Sequence, residues 1–120
     1  MAKKNGKIVV ADDNPGICQT FKDLLGDEGY EVETVGNGYQ LLDYLRENSA
    51  DIVILDLMMP EKDGLETISI LRSIVPDLKI IVYTAFGRYE NSLYAKEADR
   101  FLLKTESPER VLKSIKDLLE

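Results

Sequence analysis

Apolar residues along this chain follow two alternating rhythms. Nearly unbroken runs at 7–11 (Lys-Ile-Val-Val-Ala), 52–55 (Ile-Val-Ile-Leu), 78–83 (Leu-Lys-Ile-Ile-Val-Tyr) and 100–103 (Arg-Phe-Leu-Leu) read as short strands covered on both faces, as in a parallel sheet. Residues 30–35 (Tyr-Glu-Val-Glu-Thr-Val) alternate instead. One face of that strand is wetter, which suits a sheet edge. Between the runs the apolar spacing turns helical. Asn14 as N-cap and Pro15 at the first turn open a helix with Ile17, Phe21, Leu24 and Leu25 inward, ended by Gly26 or Gly29. Leu41, Leu42 and Leu45 mark a second helix. After a turn at Asp63-Gly64, Leu65, Ile68, Leu71, Ile74 and Val75 mark a third, halted by Pro76. A fourth helix within 88–97 has the weakest stripe, with only Leu93, Tyr94 and Ala95 near its middle, and is expected to be short and comparatively mobile. Ser107 and Pro108 open the last helix, with Val111, Leu112, Ile115, Leu118 and Leu119 inward. Five such strand–helix pairs predict an α/β fold, a doubly wound five-stranded parallel sheet with five helices on its two faces, because each parallel crossover is right-handed and carries a helix.

Composition narrows the picture. At 120 residues, 44% hydrophobic and 31% charged, the chain fits one domain spanning 1–120, with no linker, repeat or low-complexity stretch. No apolar run approaches the ~20 residues that span a bilayer, and the first five residues lack the apolar segment of a secretion signal. A cytoplasmic protein without membrane contact is expected. Cys18, the only cysteine, excludes an intrachain disulfide and is expected to be a small buried residue. The absence of histidine argues against zinc, removes Ser-His and Cys-His nucleophile pairs, and rules out a phosphohistidine on this chain. The net charge of -7 opposes direct binding to nucleic acid.

Four strands end in residues of a particular kind: Asp12-Asp13, Asp56, Thr84 and Lys104. Each alone has an ordinary use. Asp12 or Asp13 can favour a helix N-terminus, Asp56 can cap a turn, Thr84 is a common strand residue, and an edge lysine is usually solvated. In a parallel sheet, however, all strands point one way, so these residues gather at the carboxyl edge where open α/β sheets bind ligands. Three crowded carboxylates repel unless a cation sits among them, and hard oxygen ligands without His or Cys select Mg2+, or Mn2+ in its place. Carboxylates, a divalent cation, a lysine and a hydroxyl together suit a phosphoryl group, and a carboxylate can itself be the nucleophile.

With these residues in view, the chain resembles a response-regulator receiver domain along essentially its whole length. The resemblance rests on Val10-Ala11-Asp12-Asp13-Asn14, on 54–60 (Ile-Leu-Asp-Leu-Met-Met-Pro) with Asp63-Gly64, on Thr84-Ala85 and on Phe101-Leu102-Leu103-Lys104. It implies the flavodoxin-like strand order 2-1-3-4-5, in agreement with the alternating second strand at an edge. It also implies a phosphoacceptor switch of two-component or phosphorelay signalling. Asp56 would take a phosphoryl group from the phosphohistidine of a sensor histidine kinase or histidine phosphotransfer protein, without a separate turnover substrate. Asp13 would bind Mg2+ directly and Asp12 largely through water, while Asp56 and the backbone carbonyl of Met58 would complete the ligands. Lys104 would pair with Asp56 and then with the phosphoryl group, Thr84 would swing in to hydrogen-bond it, and small Ala85 would leave it room. Phe101 matches an aromatic switch position, read out by a downstream protein or domain through the surface of the fourth helix, fifth strand and fifth helix.

The chain departs from the family at three places. Thr105 stands where a proline, often after a cis bond, usually follows the lysine, so the loop takes either that geometry, costly before a non-proline residue, or a trans path that shifts Lys104. Glu97-Ala98 replaces the usual Gly-Ala. Apolar Met58 and Phe86 occupy positions that tune hydrolysis, implying a comparatively long-lived phosphoryl group. Two other functions remain open: a degenerate receiver used as a binding module, and an Mg2+-dependent aspartyl-phosphate phosphatase. The latter generally carries a second acid two residues past the nucleophile, where this chain has Met58.

Overall fold

The computed structural model of the chain describes residues 6–57, 64–85, 87 and 95–119. Among these residues five strands and four α-helices follow in the order β1 (Lys7–Ala11), α1 (Pro15–Asp27), β2 (Glu31–Val35), α2 (Gly38–Glu47), β3 (Ile52–Leu55), α3 (Gly64–Ile74), β4 (Lys79–Thr84), β5 (Arg100–Leu103) and α4 (Pro108–Leu119). All strand pairings are parallel and the order is β2-β1-β3-β4-β5, the flavodoxin-like order that the resemblance implied. The helix predicted within 88–97 falls mostly outside the described residues, and its last three, Ala95–Glu97, form a 3-10 turn. The fifth predicted helix is α4.

The period of two along each strand divides the core. Val9, Ala11, Val53, Leu55, Ile80 and Val82 face α2 and α3, where Leu41, Leu45, Ile68 and Leu71 meet them. Ile8, Val10, Ile52, Ile54, Ile81 and Tyr83 face α1 and α4, against Phe21, Leu25, Val111 and Ile115. Cys18 packs against this second cluster but is half-buried rather than enclosed. Every residue of β3 is buried, as its unbroken apolar run required. In β2 the charged Glu31 and Glu33 are exposed between half-buried neighbours, and β2 lies at an edge.

Local chemistry fixes where the helices begin and end. The Asn14 side-chain oxygen accepts from the Gly16 and Ile17 amides at 2.8 and 3.2 Å, satisfying two N–H groups that the helix cannot. Asn37 does the same for Gln40 at 2.8 Å. Gly29, at φ 91°, turns the chain out of α1, a left-handed conformation that glycine adopts without strain, whereas Gly26 stays inside the helix. At the opposite end of the sheet from the acids, Arg72 of α3 donates to the carbonyls of Glu97, Pro76 and Leu78 and to Asp99 at 2.8 Å. Among the described residues no helix is long and apolar enough to cross a membrane.

Candidate functional site

Each strand delivers its last residue to one rim because the sheet is parallel and in register. Ala11 ends β1 opposite Leu55 of β3, so Asp12 and Asp56 follow side by side, tied by the Asp56 amide donating to the Ala11 carbonyl at 3.0 Å. The Asp12 amide donates to Val35 of β2 at 3.1 Å, and the Lys104 amide donates to Thr84 of β4 at 2.8 Å. Backbone pairing therefore sets the rim before any side chain acts.

The carboxylates of Asp12, Asp13 and Asp56 offer oxygens that all lie within 4.8 Å of one another. Asp12 and Asp56 are only 4% and 5% exposed, while Asp13 is open to solvent. Lys104 crosses from the end of β5, and its ammonium donates to Asp12 at 2.8 Å and to Asp56 at 3.2 Å. Burial works against the ammonium, but the hydrogen bond to Asp12 and the charge of Asp56 outweigh it, so the Lys104 pKa is raised and the group is cationic at neutral pH. Asp12 is further held through its other oxygen, which accepts from the Asn14 amide at 2.9 Å.

Three carboxylates against one ammonium leave two negative charges on a half-enclosed cluster of oxygens. Such a cluster suits a hard divalent cation, and nothing in its oxygen donor set favours a soft one. An open cleft of about 380 Å³ adjoins Asp12 and Asp13 and runs past Cys18 and Lys22 towards Gly36. The Cys18 thiol lines it and donates to the Asp12 carbonyl at 3.3 Å. Burial, and then the charge of Asp12, push that thiol's pKa up, which leaves it protonated and a poor nucleophile.

Asp12, Asp13, Asp56 and Lys104 are thus brought together, and Thr84 joins them through its backbone, its side chain fully buried at the end of β4. Phe101 stands apart from the acids. It pairs with Val82 across the sheet and packs, half-buried, against the α2–α3 side of the core. Met58 and Phe86 lie outside the described residues. No described peptide bond is cis, so Lys104–Thr105 takes the trans path, and Lys104 still reaches the acids. The resemblance pointed to Asp56 as its partner, yet Asp12 is the shorter contact. Sequence reasoning passed over Tyr83 and Glu106, whose bonds to the Lys104 loop depend on side-chain directions that periodicity does not carry.

A family model for the response regulator receiver domain matches residues 8–116. Response regulator MprA of Mycobacterium sp. (strain KMS) is 36% identical over 115 residues, which is 94% of this chain and 50% of that protein. This chain accordingly spans about half the length of that relative. Sporulation initiation phosphotransferase F of Bacillus subtilis (strain 168) is 32% identical over 93 residues, 78% of this chain and 75% of that protein. Among solved structures, response regulator protein TrrA from Thermotoga maritima in complex with Mg(2+)-BeF has 35% identity and a TM-score of 0.89, with 97% of this chain and 99% of that chain covered. TrrA bound to the histidine kinase ThkA gives 35% identity and a TM-score of 0.88, with 98% and 100% covered.

Proposed function

This chain belongs to the response regulator receiver domain family, whose members are signalling switches, and on that premise we propose that Asp56 is its phosphoacceptor in an Mg2+-dependent transfer. The observation that carries the reading is the Asp12–Asp13–Asp56 grouping with the Lys104 ammonium laid across two of its members. A carboxylate oxygen of Asp56 forms the new P–O bond as the P–N bond of a partner's phosphohistidine breaks and the imidazole departs. The donor histidine lies outside these 120 residues, which contain none.

Lys104 then transfers its hydrogen bond from the Asp56 carboxylate to a phosphoryl oxygen, while Asp12 keeps hold of the other side of the ammonium. That arrangement needs no rebuilding of the site as charge develops. Asp12, Asp13 and Asp56, with the Met58 carbonyl, are the groups that would hold Mg2+, which when bound neutralises charge on the transferring oxygens. The Thr84 hydroxyl donates to the phosphoryl group, and Phe101 turns inward into space that the threonine leaves, shifting the surface around β5 and α4.

The pairing of TrrA with the histidine kinase ThkA supports a sensor histidine kinase as donor, with a histidine phosphotransfer protein as the alternative donor of the same chemistry. We place the chain, as a single receiver domain acting in the cytoplasm, upstream of an output protein or domain. Incubation with phosphoramidate and Mg2+ followed by intact-mass measurement tests the reading. The wild-type chain should gain one phosphoryl group, whereas Asp56→Asn, or the wild type with excess chelator, should gain none. Equal uptake by Asp56→Asn would defeat the assignment.

A further inference from the structure

Lys104 reaches its two carboxylates on a long, flexible stem, so the position of its backbone decides whether the ammonium arrives. That backbone belongs to the short loop 104–106, in which Thr105 is exposed. Two consecutive residues of β4 grip the loop at its ends. The Thr84 carbonyl accepts from the Lys104 amide at 2.8 Å. The Tyr83 hydroxyl donates to the Glu106 carbonyl at 2.8 Å.

Glu106 closes the loop on itself. Its amide donates to the Leu103 carbonyl at 2.9 Å, and its carboxylate accepts from the Leu103 amide at 3.0 Å, a backbone group at the outer edge of β5. Tyr83 is a firm post for such a grip. It is 2% exposed and stands edge-on to buried Phe21, with ring centroids 5.4 Å apart at 79°. Burial, partly offset by the charge of Lys104, pushes its hydroxyl pKa up, so the group stays a donor across the neutral range.

From this geometry we propose that Tyr83 and Glu106 are positioning residues: together they latch the 104–106 loop so that the Lys104 ammonium lies on Asp12 and Asp56. The proposal rests on the phosphoacceptor reading above. Neither residue touches the reacting atoms; each acts through Lys104. Displacements of about 1 Å at a catalytic group can cost on the order of a hundredfold in rate, so loss of one latch bond should cost about tenfold.

The test is a double-mutant cycle on phosphoryl uptake from phosphoramidate with Mg2+, using wild type, Tyr83→Phe, Lys104→Ala and the double variant, with slow rates followed over hours. Tyr83→Phe keeps the ring and should slow uptake about tenfold, but should slow Lys104→Ala no further, because the two act in one chain of contacts. Glu106→Ala should behave like Tyr83→Phe, while Glu106→Gln, which retains an acceptor for the Leu103 amide, should stay within about twofold of wild type. Mg2+ affinity, read by calorimetry without phosphodonor, should be no weaker in Tyr83→Phe, since the latch holds no metal ligand. Full-rate uptake by Tyr83→Phe, or an equal loss in both backgrounds, would overturn the latch and leave the phosphoacceptor reading intact. A wild type that takes up nothing would overturn both.

Discussion

At the scale of single residues, the rim is a compromise between stability and chemistry. Lys104 bridges Asp12 and Asp56, whereas exposed Asp13 shares the cluster without a contact to that ammonium. Its charge therefore opposes the metal-free fold and favours a cation. Asp13→Asn should raise metal-free stability by about 0.5–1 kcal/mol and weaken Mg2+ binding by about tenfold, read by denaturant midpoints and calorimetry. These acids were legible because strand ends in a parallel sheet are countable from sequence. That Asp12 holds Lys104 more closely than Asp56 does was not, because a side chain's choice between two nearby carboxylates depends on loop path. Thr105 left that path open, and the bonds of Glu106 and Tyr83 fix it.

At the scale of elements, the strands and α1, α2, α3 and α4 follow their apolar periods, and Asn14 and Pro15 place the start of α1. The stretch before β5 was the weakest reading, since Leu93, Tyr94 and Ala95 make too short a stripe to fix an element's bounds. Arg72 secures the end of that stretch, and nothing in its local sequence announced it. Its guanidinium serves carbonyls of Pro76, Leu78 and Glu97 together with the carboxylate of Asp99. Burial works to raise the Asp99 pKa, but the Ile80 amide and Arg72 reverse this and hold it below its ordinary 3.8. A depressed folded pKa contributes stability above that ordinary value and loses it as pH falls through the folded one. Arg72→Ala should cost about 2–3 kcal/mol near neutrality by orphaning these acceptors, with Arg72→Lys recovering little. In urea titrations the gap between wild type and variant should narrow as pH drops below 3.8.

For the whole molecule, the site exists only once the sheet has formed, since Asp56 and Lys104 are 48 positions apart in the chain. A ligand that binds the assembled rim and not the unfolded chain must stabilise the fold, by ~2.7 kcal/mol at a hundred times its Kd. Saturating Mg2+ should therefore raise the melting temperature of the chain, excess chelator should reverse the shift, and Asp56→Asn should blunt it; an unchanged melting curve would count against a metal site. The strand order was legible through one observation, the wet face of residues 30–35, joined to the resemblance. The division of helices between two faces required the register itself.

The two borders of the sheet differ in sequence yet are protected alike. On one side β2 exposes Glu33 and a Glu31 already paired with Lys7 at 3.1 Å; on the other the Leu103 amide of β5 is already taken by the Glu106 carboxylate. An incoming extended segment would have to pack beside charged side chains at the first border and would meet a spent donor at the second. Addition of a second copy of this chain as an extra strand is therefore disfavoured at both borders.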